Sequence, residues 1–238
     1  MAIFGRQQGF TPQQISGLLF YFDSRVGVIL SGSTVVQWTD LSGNGFHATQ
    51  SNVTLQPTYS GSGGGNNQPY LGLSAPGSQI ALSCSAQNLA VPAHSTVDMF
   101  FVVNPVTGSG NAIVCELQTT FNAEVFATYV QSNVSQVDQY SQGNGANIAI
   151  VPNVDQIWEN CFSGGQSYLA VNNGTQVTGS VAGTTQPAVG LCLFNGRNAG
   201  SPFRGNVYAI LAYNRQLLPA EAQVLTRYFG NAFNITVP

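Results

Sequence analysis

Lysine is absent from this chain of 238 residues, and arginine supplies all six cations against nine acids, for a formal net charge of −3. Charged residues make up 6% of the sequence, against roughly a quarter in an ordinary soluble domain. Without lysine there is no Schiff-base nucleophile and no P-loop lysine to cradle a phosphate. Six scattered arginines form no basic stripe for nucleic acid and no polybasic patch for a membrane surface. The apolar runs, such as 18–22 and 99–103, are about five to seven residues long, far short of the ~20 that span a bilayer. Neither nucleic acid nor membrane insertion is therefore expected. Residues 1–8 lack the continuous apolar stretch of a secretory leader, so synthesis in a cytoplasm is expected.

Chemistry-bearing residues are equally sparse. Cys84, Cys115, Cys161 and Cys192 form no Cys-x-x-Cys pair and have no histidine beside them, which disfavours zinc. Their apolar neighbours read as strands with buried thiols, two disulfides being the other reading. His47 and His94 are the only histidines, no Gly-x-Ser-x-Gly elbow precedes a helix, and no two acids stand at i, i+2. A hydrolase would have to gather its carboxylates from distant segments, so no catalytic residue is assigned and no enzymatic activity is expected. Asp40-Leu41-Ser42-Gly43-Asn44-Gly45 opens like an EF-hand loop, but the position of the closing glutamate is Ser51. A hydrogen-bonded turn is the expectation at Asp40, a loop calcium the lesser alternative, and no other cofactor is implied.

Asn, Gln, Ser, Thr and Gly take the place of charge. A surface so poor in charge is badly protected against self-association, which points to a chain held among neighbours or in many copies. Short runs rich in Val, Ile, Phe, Tyr and Thr alternate with Gly, Asn, Pro and Ser clusters, the pattern of an all-β sandwich or barrel. Strands are expected at 18–23, 35–40, 70–73, 80–84, 97–103, 112–117, 124–130, 147–151, 156–162, 167–171, 175–181, 189–194 and 206–213. Asn173-Gly174 is expected to supply the left-handed turn of a hairpin. One helix is expected late in the chain, with Pro219 in its first turn, Leu218, Ala222, Leu225 and Phe229 on its apolar face, and Gly230 after its end. Trp38 and Trp158 read as core, leaving Phe46, Tyr59, Tyr140 and Phe203 as loop aromatics for a sugar platform.

The stretch Ile15 to Asp23, followed by Val35-Val36-Gln37-Trp38-Thr39-Asp40-Leu41-Ser42-Gly43-Asn44-Gly45-Phe46-His47-Ala48-Thr49 and by Gln56-Pro57-Thr58-Tyr59, resembles the opening of the laminin-G-like, concanavalin A-like jelly-roll domains. Phe203-Arg204-Gly205 through Tyr213-Asn214-Arg215-Gln216-Leu217 resembles their closing strand, and Val171-Asn172-Asn173-Gly174 their V-N-G turn. The resemblance implies a two-sheet antiparallel jelly-roll sandwich over 15–238, preceded by an arm at 1–14. It also implies a sugar-binding or adhesion scaffold, or an accessory protein of a virus particle. The expectation is a structural virion protein, a phage capsid decoration or head fibre, bound to a capsid or tail protein through Phe4, Arg6 and Phe10 of the arm and Ile15 next to it. A carbohydrate-binding adhesin or tail module that meets cell-surface glycans is the alternative.

Overall fold

The computed structural model describes residues 9–73, 81–84, 89, 91–92, 95–106, 111–118, 124–131, 135–141, 144–181, 187–195 and 201–238. Among these residues the order begins β1 (Leu18–Asp23), β2 (Val28–Ser31), β3 (Thr34–Trp38), β4 (Ala48–Thr49), β5 (Thr58–Ser60), β6 (Tyr70–Leu73) and β7 (Leu82–Cys84). It continues with β8 (Val97–Pro105), β9 (Ala112–Gln118), β10 (Glu124–Val130), β11 (Gln136–Tyr140) and β12 (Asn144–Ala149). Then come β13 (Gln156–Phe162), β14 (Ser167–Val171), β15 (Val177–Gly179), β16 (Gly190–Leu193), β17 (Gly205–Tyr213) and the helix α1 (Pro219–Phe233). The all-β class and the single C-terminal helix are as the sequence implies.

The expected division into two separate sheets needs correction, because the hydrogen-bonded ladders are continuous. Strands follow one another as β12-β11-β10-β9-β16-β7-β4-β3-β5-β6-β17-β8-β13-β14-β15, with β2 beside β3 and β1 continuing along the β6 side of β17. All the strand pairings are antiparallel. The ribbon curls until β12 comes against β14 and β15, so the sheet is nearly closed and barrel-like. Two glycines permit this seam. A Cβ on Gly179 would stand 2.3 Å from the Ala146 amide nitrogen, and one on Gly145 would stand 2.4 Å from Val181 Cγ1.

The curl gives a front half, β3, β4, β7, β16 and β9–β12, and a back half, β17, β8, β13 and β14. Between them lies the main core, to which Trp38, Val114, Leu117, Phe126 and Leu191 contribute from the front and Phe101, Trp158, Leu169 and Ile210 from the back. Both tryptophans are fully buried, with Trp38 Nε1 donating to the Asp23 carbonyl and Trp158 Nε1 to Gln156 Oε1. The core also holds a polar bridge: Gln139 Nε2 donates to Asn160 Oδ1, and Asn160 Nδ2 donates to Thr128 Oγ1 at 2.6 Å. All three residues have no exposed surface, so their mutual satisfaction is what makes burying them tolerable.

The helix explains why the back half is apolar on both faces. Tyr21, Phe100, Val102, Tyr208, Leu211 and Tyr213 point away from the main core and meet Leu225, Phe229 and Phe233 of α1 in a second cluster. Each fully buried large side chain there contributes about 1.5–3 kcal/mol relative to exposure. Pro219 opens α1, and Glu221 in its first turn accepts the Leu218 N–H at 2.8 Å while pairing with Arg215. The helix runs past the expected stop at Gly230. Asn234, in the left-handed region with φ 56°, ends it instead, its N–H being bonded back to the Gly230 carbonyl. The hairpin also differs in detail: Asn172 and Asn173 take the positive φ angles, 52° and 57°, and Gly174 does not.

Candidate functional site

The segment before β1 is tied to the helix layer. Ile15 is buried in the second cluster, Phe10 sits edge-on to Tyr228 with ring centroids 5.6 Å apart, and Tyr213 Oη donates to the Pro12 carbonyl at 3.0 Å. Of the four residues expected to meet a partner, Phe10 and Ile15 are thus engaged within the chain, while Phe4 and Arg6 lie outside the described residues.

At the Asp40 turn, Oδ1 accepts the amides of Tyr21 and Ser42, both at 2.9 Å, and Oδ2 accepts Ser42 Oγ at 2.7 Å and the Phe46 amide at 3.0 Å. Four donors occupy the lone pairs that a calcium ion would use. His47 Nδ1 accepts the Asp40 N–H at 3.1 Å, which makes it part of the same turn; His94 lies outside the described residues. Among the described residues no three His, Cys, Asp or Glu side chains are grouped to hold a metal. Cys115, Cys161 and Cys192 are buried free thiols; burial, chiefly, together with the Glu116 charge pushes Cys192 up to about 12. The side chain of Cys84 lies outside the described residues.

Two acids from separate strands do converge. Asp98 of β8 and Glu159 of β13 lie on the helix-facing side of the back half, and Tyr168 Oη stands 2.6 Å from Glu159 Oε1 and 3.5 Å from Asp98 Oδ2. Asp98 Oδ2 also accepts the Leu217 amide at 3.0 Å, just ahead of α1. Burial, followed by the Glu159 charge, holds the Asp98 carboxyl well above the usual carboxylate range, and burial raises Glu159 as well. Asp98 is 0% and Glu159 4% exposed, so the pair is enclosed under the approach to the helix and no sugar ring can reach it.

The opposite face of the protein opens at one end. Across the outside of the front half, Gln37, Thr49, Ser83, Cys192, Glu116, Ala127 and Tyr140 stand directly beside one another on β3, β4, β7, β16, β9, β10 and β11. The middle of this row is buried, whereas Thr49 is exposed and Ser83 half-buried. At that open end lies a cavity of about 420 Å³ lined by Val36, Thr49, Gln50, Ser51, Gln56 and Ser83. Strand alternation builds it: Val35, Ala48 and Leu82 point into the core, so Val36, Thr49 and Ser83 point out.

The cavity has a defined hydrogen-bonding character. Gln56 Oε1 accepts Thr34 Oγ1 at 2.6 Å and its Nε2 donates to the Gln50 carbonyl at 2.7 Å. Gln50 Nε2 donates to the Ala81 carbonyl at 3.1 Å and its Oε1 accepts the Asn52 amide at 3.0 Å. Each amide is pinned by one donor and one acceptor bond, and keeps one N–H and one oxygen lone pair for a visitor. The hydroxyls of Thr49, Ser51 and Ser83 have no partner among the described residues. Hydroxyls and half-used amides on a rigid sheet suit a ligand that both donates and accepts, as sugar hydroxyls do.

None of these six residues was a candidate in the sequence, although Gln56 lies within the Gln-Pro-Thr motif. The expected aromatic platform is not at the cavity: Phe203 is buried, Phe46 and Tyr59 pack against the core, and Tyr140 stands at the far end of the row.

No family model and no curated protein sequence matches the chain. Solved structures do match in fold. A mutant of Trypanosoma rangeli sialidase displaying trans-sialidase activity is 14% identical with a TM-score of 0.60, over 92% of this chain and 34% of that one. Trypanosoma rangeli sialidase in complex with sialic acid is 14% identical with a TM-score of 0.55, over 89% of this chain and 33% of that one. The receptor binding domain of botulinum neurotoxin type G is 10% identical with a TM-score of 0.61, over 90% of this chain and 52% of that one. The chain thus spans about a third of the sialidases and about half of the neurotoxin domain. The expectation of a non-enzymatic protein is corrected by these likenesses, since sialidases stand among the structures that share the fold. The names of these three proteins include neither a laminin-G nor a phage protein.

Proposed function

We propose that the chain binds glycans in the cavity between β3, β4 and β7. The observation that carries this reading is the set of unpartnered hydroxyls of Thr49, Ser51 and Ser83 facing the two pinned, half-used amides of Gln50 and Gln56. Recognition of sugar hydroxyls calls for donors and acceptors held in place before the ligand arrives, so that no side-chain freedom is lost on binding. The fold likeness to a sialidase in complex with sialic acid and to a neurotoxin receptor binding domain supports the reading without assigning this chain their ligands.

The test is a glycan array probed with the full chain and with Gln56→Ala and Ser83→Val. Binding by the full chain that falls at least about tenfold in either variant, the loss of roughly one good hydrogen bond, is the expected result. Equal binding by all three proteins would place the sugar elsewhere.

A further inference from the structure

We infer that the cavity takes uncharged, hydroxyl-rich sugars and discriminates against sialylated, uronic and sulfated ones. This rests on the glycan-binding reading and adds to it the class of ligand. None of the six lining residues carries a charge, so a carboxylate or sulfate entering the cavity would meet no counter-ion.

No cation among the described residues lines the cavity, and Arg6 and Arg197 lie outside those residues. Lysine is absent. Among the described residues, Arg25 is paired with Asp23 and lies over the Phe233 ring, and Arg215 is paired with Glu221. Arg227 belongs to α1, so all three stand on the helix-covered side. Arg204 stands just before β17, where its carbonyl accepts the Val106 amide. The net charge of −3 opposes an anion.

This cavity offers a carboxylate only neutral hydroxyl and amide donors. Charge-assisted bonds are roughly twice as strong as neutral ones, so a site without a cation gives up the means by which anionic sugars are held selectively.

The experiment compares one oligosaccharide in two forms, ending in galactose or capped on that galactose by sialic acid, each titrated against the full chain. The expected result is at least about tenfold tighter binding of the uncapped form, with an affinity that stays level from about 0.05 to about 0.5 M salt. Thr49→Arg, a change at an exposed position, should narrow that ratio by placing a cation at the rim. Equal or tighter binding of the sialylated form would overturn the inference and leave the glycan-binding reading standing. An unchanged ratio in Thr49→Arg would also overturn it, and no binding of either form would overturn both.

Discussion

Asp98 and Glu159 sit diagonally across the β8–β13 ladder and share a single phenol, that of Tyr168. A phenol has one proton to give, and the 2.6 Å contact assigns it to Glu159. Asp98 is then left with the Leu217 amide on Oδ2 and no partner at all on Oδ1. A buried carboxylate so poorly served is easier to keep protonated than charged, which agrees with its raised pKa.

The pH dependence of stability follows from that pair. Both carboxyls bind protons more tightly folded than unfolded, so their contribution is full below the unfolded carboxyl value, about 4. It is lost as the pH rises through the raised folded values. Asp138, pushed up to about 6 by burial, acts in the same direction. The protein should melt at a higher temperature near pH 5 than near pH 8 (both approximate), and Glu159→Gln should shrink the difference. A melting temperature that climbs steadily over this range would contradict the account.

Arg25 anchors the other end of the helix layer. It pairs with Asp23 and lies 4.9 Å from the Phe233 ring centroid and 5.5 Å from that of Tyr228. Asp23 is 1% exposed, so Arg25→Ala leaves a buried carboxylate unpaired. Urea denaturation should show a loss of about 2–3 kcal/mol, below the figure for a fully buried pair because Arg25 is partly exposed. Arg25→Lys should recover little of it, since an ammonium has neither the fork nor the flat face.

Asp40 should behave as a turn residue. Asp40→Ala strands four donors, and a loss of about 2–4 kcal/mol is expected in the same assay. Adding calcium or a chelator to the unaltered protein should leave its melting temperature where it was; a calcium-dependent rise would restore the metal reading.

The seam between β12 and β15 should tolerate no side chain at Gly179. Gly179→Ala, which drives a methyl to within 2.3 Å of a backbone nitrogen, should cost about 1–3 kcal/mol. Gly61→Ala, with no atom within 4 Å of the new methyl, should change stability by less than about 0.5 kcal/mol.

Much of the fold was legible where local chemistry and burial agree. Residues 18–23, 70–73 and 206–213 read as strands because they are apolar and central, and α1 because its apolar spacing faces a sheet. β11 did not read as a strand: Gln-Val-Asp-Gln-Tyr is polar, and only the partners of Gln139 across the core explain why a glutamine is buried there. β2 escaped for the opposite reason, since it lies along the rim of the sheet with Ile29 48% exposed and shows no inward and outward alternation. The cavity was illegible altogether. Val36, Thr49, Gln56 and Ser83 are ordinary residues on separate segments, and their meeting depends on the registers of β3, β4 and β7, which no local pattern encodes.

Phe10, Pro12 and Val237 all rest on the helix-covered side. Anything joined after Val237, whether a label, a bead or a neighbouring protein, would therefore leave from the back. A molecule tethered there would turn the cavity between β3, β4 and β7 towards the surroundings.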